Sequence, residues 1–190
     1  MQAARLIVVI AILGSISRPA HSADDVLDAM DQARKAYQSG DLSQAKQQLD
    51  TASQLVGQKN AEAFTKLLPA PLPGWNADKA QATAMGSAVL GGVSAASRSY
   101  TNAKGDNVEV SISGDSAILM QFAMMLSNPA MAGAMGKLIK VGALRAIQNQ
   151  DGDVMMVVGN KFLINIQGSA DAQSKLAYAN AVDVAKLSKM

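Results

Sequence analysis

The sequence predicts an α+β fold, an N-terminal α-helical hairpin followed by an antiparallel sheet with packed helices. Three observations carry that prediction. Apolar residues between positions 23 and 68 recur at helical spacings of three and four. From residue 94 onward, runs with alternating apolar and polar residues follow one another, separated by Gly- and Asn-containing turns. Between the two textures stands a segment at 69–75 (PAPLPGW) with three prolines, which holds the chain extended and ends the helical pattern.

Met1 to Arg5 precedes an apolar run, Leu6 to Ile16, that is short for a membrane span, and a polar stretch follows with Pro19. Ala20 and Ser22 satisfy a small-x-small cleavage rule, so residues 1–22 read as a signal peptide cut after Ser22. Export to the periplasm is the expected localisation. Of the 190 residues, 168 then remain; of the 17 basic residues Arg5 and Arg18 leave, so 15 face 15 acidic ones. A neutral chain without a basic block lacks the electrostatic footprint of a nucleic-acid binder. With the signal removed, no integral membrane segment is expected.

The one histidine, His21, leaves with the signal, and the chain has no cysteine. Imidazole general-base catalysis, Ser-His-Asp and Cys-His nucleophiles, and the usual zinc, haem and iron–sulfur ligand sets are thereby excluded from the mature chain. No disulfide framework forms, and the core must hold itself by burial.

Each element has its own signal. Val26, Met30, Ala33 and Tyr37 mark one face of a first helix, which Gly40 stops. Asp41 caps a second, carrying Leu42, Ala45, Leu49, Ala52 and Val56. The string from Ala33 to Leu55, with Tyr37, Gly40, Asp41, Ala45 and Ala52, resembles a single tetratricopeptide repeat. The tryptophan and closing proline of that repeat are not in their usual places, and one repeat alone builds no solenoid. In the connector, Leu72 and Trp75 are expected to pin the hairpin to the domain at 76–190. Ser94–Thr101 and Asn107–Ser113 flank the turn NAKGD, and Val108, Val110 and Ile112 make a hairpin with one wet face. Helices are expected over Ala117–Leu126 and on to about Met135, broken at Asn128-Pro129. Strands follow at Lys137–Val141, Ala143–Gln148, Val154–Val158 and Lys161–Gln167, and a helix closes the chain over Ala170–Leu187. This order resembles the PsbP-like sandwich in architecture alone, which carries no activity. The layout as a whole resembles uncharacterised secreted proteins of Gram-negative bacteria, which implies localisation and little else.

Three kinds of chemistry compete for the remaining residues. Met120, Met124, Met125, Met131 and Met135, with Met155-Met156, could offer thioethers to Cu(I), but they lack histidine partners and suit core filling better. Asp151 and Asp153 in the turn NQDGD, and Asp24, Asp25 and Asp28 at a helix start, would be the carboxylates of an envelope hydrolase. Turn and cap chemistry explains the same residues. Gly86, Gly91 and Gly92 have no phosphate-loop lysine beside them and read as close packing. The expectation is a non-enzymatic binding or accessory protein without a cofactor, catalytic residue or metal site. It would act on an envelope protein partner or an apolar ligand, with Tyr37, Leu72 and Trp75 as candidate partner-binding residues.

Overall fold

A computed structural model describes residues 24–85, 93–114 and 133–190, together with Leu119, Phe122, Met124 and Asn128. The signal segment, the glycine cluster at 86–92 and Met120, Met125 and Met131 lie outside the described residues, as does most of the helical stretch expected at 117–132. Leu119, Phe122 and Met124 within that stretch are helical.

The chain opens with α1 (Asp25–Gln38) and α2 (Leu42–Thr65), which pack on each other as a hairpin. Asp24 accepts a hydrogen bond from the Val26 amide at 3.2 Å, and Asp41 one from the Gln44 amide at 2.9 Å, so each helix starts on an aspartate cap. Gly40, at φ +84°, makes the reversal between them in the left-handed region.

The sheet contains β1 (Trp75–Ala77), β2 (Gln81–Met85), β3 (Val93–Asn102), β4 (Asn107–Gly114), β5 (Lys137–Val141), β6 (Leu144–Gln148), β7 (Val154–Val158) and β8 (Phe162–Gln167). Its order is β1-β3-β4-β8-β7-β6-β5, with β2 also on β3, and every pair is antiparallel. Two meanders, one ending in β4 and one in β8, thus meet along a central seam where Val110 opposes Ile166 and Ile112 opposes Ile164. The alternation expected in β4 holds: Val108, Val110 and Ile112 are fully buried, while Glu109, Ser111 and Ser113 face the other way, half-buried. Phe162, Ile164 and Ile166 of β8 join the same buried face.

The C-terminal half of α2 covers one end of that face, with Phe64 packed edge-on against Phe162 at 5.5 Å. The other end lies under α3 (Ala172–Ala181) and α4 (Val184–Leu187), through Tyr178, Ala179, Val182 and Leu187. The single closing helix expected there is two. Val182 is extended, and Asp183 caps α4 by accepting from the Lys186 amide at 3.0 Å, which offers the backbone a competing partner. On the opposite face Phe122 and Ile147 are buried together, with Met135, Met155, Val157 and Leu163 around them.

β1 and β2 were not expected as strands. They lie along the same outer edge of β3, Trp75–Ala77 against Tyr100–Asn102 and Gln81–Met85 against Val93–Ser97.

Candidate functional site

The hairpin buries its smallest residues and exposes its largest. Val26, Ala29, Ala33 and Ala36 of α1 are buried, with Ala45 and Ala52 of α2, so the helices meet along a seam that is mainly alanine. Small side chains let two helix backbones approach closely, and larger ones are displaced to the flanks of such a seam. Leu27, Met30, Tyr37, Leu42, Leu49 and Val56 are therefore exposed, from 41% at Val56 to 69% at Tyr37. They are six of the nine large apolar side chains exposed among the described residues. The face expected for α1 is corrected accordingly: Met30 and Tyr37 lie beside the buried stripe, and the same holds for Leu42, Leu49 and Val56 on α2.

These six side chains share one side of the hairpin. From the alanine seam, Tyr37, Met30 and Leu27 follow in the direction of increasing rotation along α1, and Val56, Leu49 and Leu42 in the same sense along α2. Reversing a helix reverses the sense of its rotation, so in an antiparallel pair both displacements fall on the same side. Leu42, Leu49 and Val56 recur every seven residues, as do Met30 and Tyr37, so each stripe drifts by only about 20° per repeat around its helix. At Gly57 the sheet begins: a side chain there would meet Ala84 and Ser94 at 3.5 Å. Charged pairs rim the stripes, Arg34 with Asp31 at 2.9 Å and Lys46 with Asp50 at 2.8 Å, all four exposed.

The three residues singled out in the sequence do not form one site. Tyr37 stands exposed near the hairpin turn. Leu72 and Trp75 are half-buried against the main core, where Trp75 meets the Tyr178 ring edge-on at 5.3 Å and the Tyr178 hydroxyl accepts from the Leu72 amide at 3.3 Å. Pro69 completes that junction: its carbonyl accepts from the Tyr100 hydroxyl at 2.6 Å and from Arg98 Nη1 at 3.4 Å. Tyr100 and Tyr178 lie 4.4 Å apart, ring centre to ring centre. Burial pushes the Tyr100 phenol up to about 12, against the lowering effect of Arg98. The connector is a pinned joint, as Leu72 and Trp75 were expected to make it.

Of the candidate carboxylates, Asp24 caps α1 and Asp153 is held by side-chain partners. In the NQDGD turn Asp153 accepts from Lys175 at 2.7 Å and from Asn149 at 3.0 Å, and the Asp151 carbonyl takes a second bond from Lys175 at 2.7 Å. Burial tends to raise the Asp153 pKa, but the bonds from Lys175 and Asn149 and the Lys175 charge together hold it below the usual carboxylate value. The Lys175 side chain is 2% exposed. Gly152, at φ +80°, lies so close to Ala172 that any Cβ would stand 2.7 Å from the alanine methyl. The turn is thus where α3 is clamped to the sheet. Among the described methionines, Met155 and Met156 point to opposite faces of β7, Met135 packs beside Ile147, and Met124 is exposed. Among the described residues no three His, Cys, Asp or Glu side chains are grouped to hold a metal ion, and no helix is long and apolar enough to cross a membrane.

No family model, no curated protein and no solved structure matches this chain. An open hollow of about 370 Å³ lies between the β5–β6 turn and the last two helices, lined by Val141, Leu144, Ala179, Val182 and Val184 among others.

Proposed function

We propose that this chain is an exported periplasmic, non-enzymatic binding or accessory protein that takes a polypeptide partner on the apolar face of the α1–α2 hairpin. The observation that carries the reading is the placement of Leu27, Met30, Tyr37, Leu42, Leu49 and Val56 in water on one side of two capped helices. Contiguous exposed apolar surface rimmed by charge is the usual mark of a protein interface. The Trp75–Tyr178 and Tyr100–Pro69 contacts support the same reading, because they hold the hairpin against the sheet and so present a rigid surface.

The test is site-specific photo-crosslinking in the cell. A photoreactive residue at Leu49 should give a discrete adduct with a protein, absent when the same residue replaces Gln47, which is exposed away from the apolar face. Equal labelling from both positions, or none from either, would refute the docking face. Mass spectrometry of the protein from the periplasmic fraction should find a chain beginning at Ala23. A chain retaining residues 1–22 would defeat the export reading.

The hollow beside Val182 favours a second reading, a small apolar ligand. Its volume is within the range of ligand sites, about 300–1,000 Å³, and apolar side chains dominate its lining. Val182→Trp, which fills it, should abolish binding of a hydrophobic fluorescent probe; undiminished fluorescence would remove the hollow from consideration.

A further inference from the structure

We propose that the occupant of the hairpin face is a second copy of this chain, the two hairpins stacking α1 on α1 and α2 on α2, antiparallel, about a two-fold axis to make a four-helix bundle. The inference rests on the reading of that face as a docking surface and adds what docks there.

The argument is one of charge and register. A two-fold axis lying in the interface sends each residue onto another at the mirrored level of the antiparallel helix, so a self-pairing surface must be complementary to its own reversal. Both rim pairs meet that demand. On α1 the acid Asp31 precedes the base Arg34; on α2 the base Lys46 precedes the acid Asp50. Reversed on itself, α1 places Asp31 against the second copy's Arg34, and α2 places Lys46 against the second copy's Asp50.

One axis serves both helices. The midpoints of the two charged pairs lie roughly eight residues on either side of Gly40, hence level with each other along the hairpin. The same axis brings Leu49 beside the Leu49 of the second copy. Leu42 falls within two residues of the second copy's Val56, and Tyr37 within one of its Leu27. Met30, Tyr37, Leu42, Leu49 and Val56 then lie on the inner surface, Leu27 stands at the edge beside Arg34, and the remaining charges lie at the rim, as in a four-helix bundle core. The lengths also agree: from Leu42 to Gly57, where an added Cβ would meet Ala84 and Ser94 at 3.5 Å, α2 is about as long as α1.

The experiment is sedimentation equilibrium on the protein purified from cells expressing the full chain. A dimer is expected, and Leu49→Glu, which places a carboxylate on the axis, should weaken it about 100-fold or more with helical circular dichroism unchanged. A chain with Arg34→Glu and Lys46→Glu and one with Asp31→Lys and Asp50→Lys should each self-associate about tenfold more weakly, and should recover the dimer when mixed. A monomer at every concentration, a dimer indifferent to Leu49→Glu, or mixed variants that fail to recover would overturn the proposal. If the protein is monomeric yet Leu49 still crosslinks to a different protein, self-association fails and the docking face stands. A monomer with no adduct ends both.

Discussion

Lys175 is a fully buried amine on a helix otherwise packed through Tyr178 and Ala179, and its bonds to Asp153 and the Asp151 carbonyl are what make that tolerable. Lys175→Ala strands both acceptors and should cost about 2–4 kcal/mol in urea unfolding. The pH dependence follows with its sign. The folded pKa of Asp153 is depressed, so its contribution is present above the unfolded value near 3.8 and is lost as pH falls through the depressed one. Acid unfolding curves of the wild type and Lys175→Ala should therefore converge below pH 3.8. Tyr100 acts at the other end of the scale. Its folded pKa is raised, so its contribution is intact below pH 10 and is lost between 10 and about 12. Tyr100→Phe should flatten the alkaline limb while lowering stability at neutral pH by about 1 kcal/mol through the lost bond to Pro69; an unchanged limb would show that another group controls it.

At the scale of elements, the hairpin separates stability from surface. Ala33→Leu puts extra carbon into the seam and should destabilise by about 1–3 kcal/mol. Leu49→Ser should change the thermal midpoint of the isolated chain very little, within about 0.5 kcal/mol, because the side chain is already in water. A large loss from Leu49→Ser at a concentration where the wild type is monomeric would mean that the leucine packs within its own chain. The same contrast explains what the sequence concealed. Helical spacing identified both helices and their caps, but alanine and leucine both count as apolar, so periodicity alone could not say which flank of the stripe would be buried. That decision belongs to the close approach of two backbones. The strands at Lys137–Val141 and Val154–Val158 are legible to the residue because short apolar runs bounded by turn residues mark them. The three residues of β1 and the sequence QATAM of β2 carry little β signal, and they are strands because β3 offers them an edge. Lys175 had a readable clue, its place three and four residues before Tyr178 and Ala179 on one helical face, but nothing local named its acidic partner 22 residues earlier.

Across the whole molecule, the hairpin joins the sheet, among the described residues, chiefly through the end of α2 and the connector that follows, because Phe64 and Leu68 belong to the main core while α1 packs chiefly on α2. Hydrogen exchange should therefore rank α1 as the first element to open and the β4–β8 seam as the last. Amides of α1 protected as strongly as those of Val110 and Ile164 would contradict that order. The lack of cysteine, and the expectation that His21 leaves with a signal peptide, already narrow the chemistry at the level of sequence. The candidate face is only half legible in the sequence: Tyr37 stands among the candidate partner-binding residues, Met30, Leu42, Leu49 and Val56 fall on helix faces with no side set in water, and Leu27 belongs to neither stripe.

The central seam has a consequence for how this chain comes into being. A polypeptide that emerges amino-terminus first can assemble its hairpin and its first meander early, yet the second edge of β4 has no partner strand until β8 arrives. Its apolar face has no complete cover until Tyr178 and Leu187 follow. The last twenty-odd residues therefore act as a completion signal. Any chain cut short before them should present an open sheet to proteases, so that only finished copies survive.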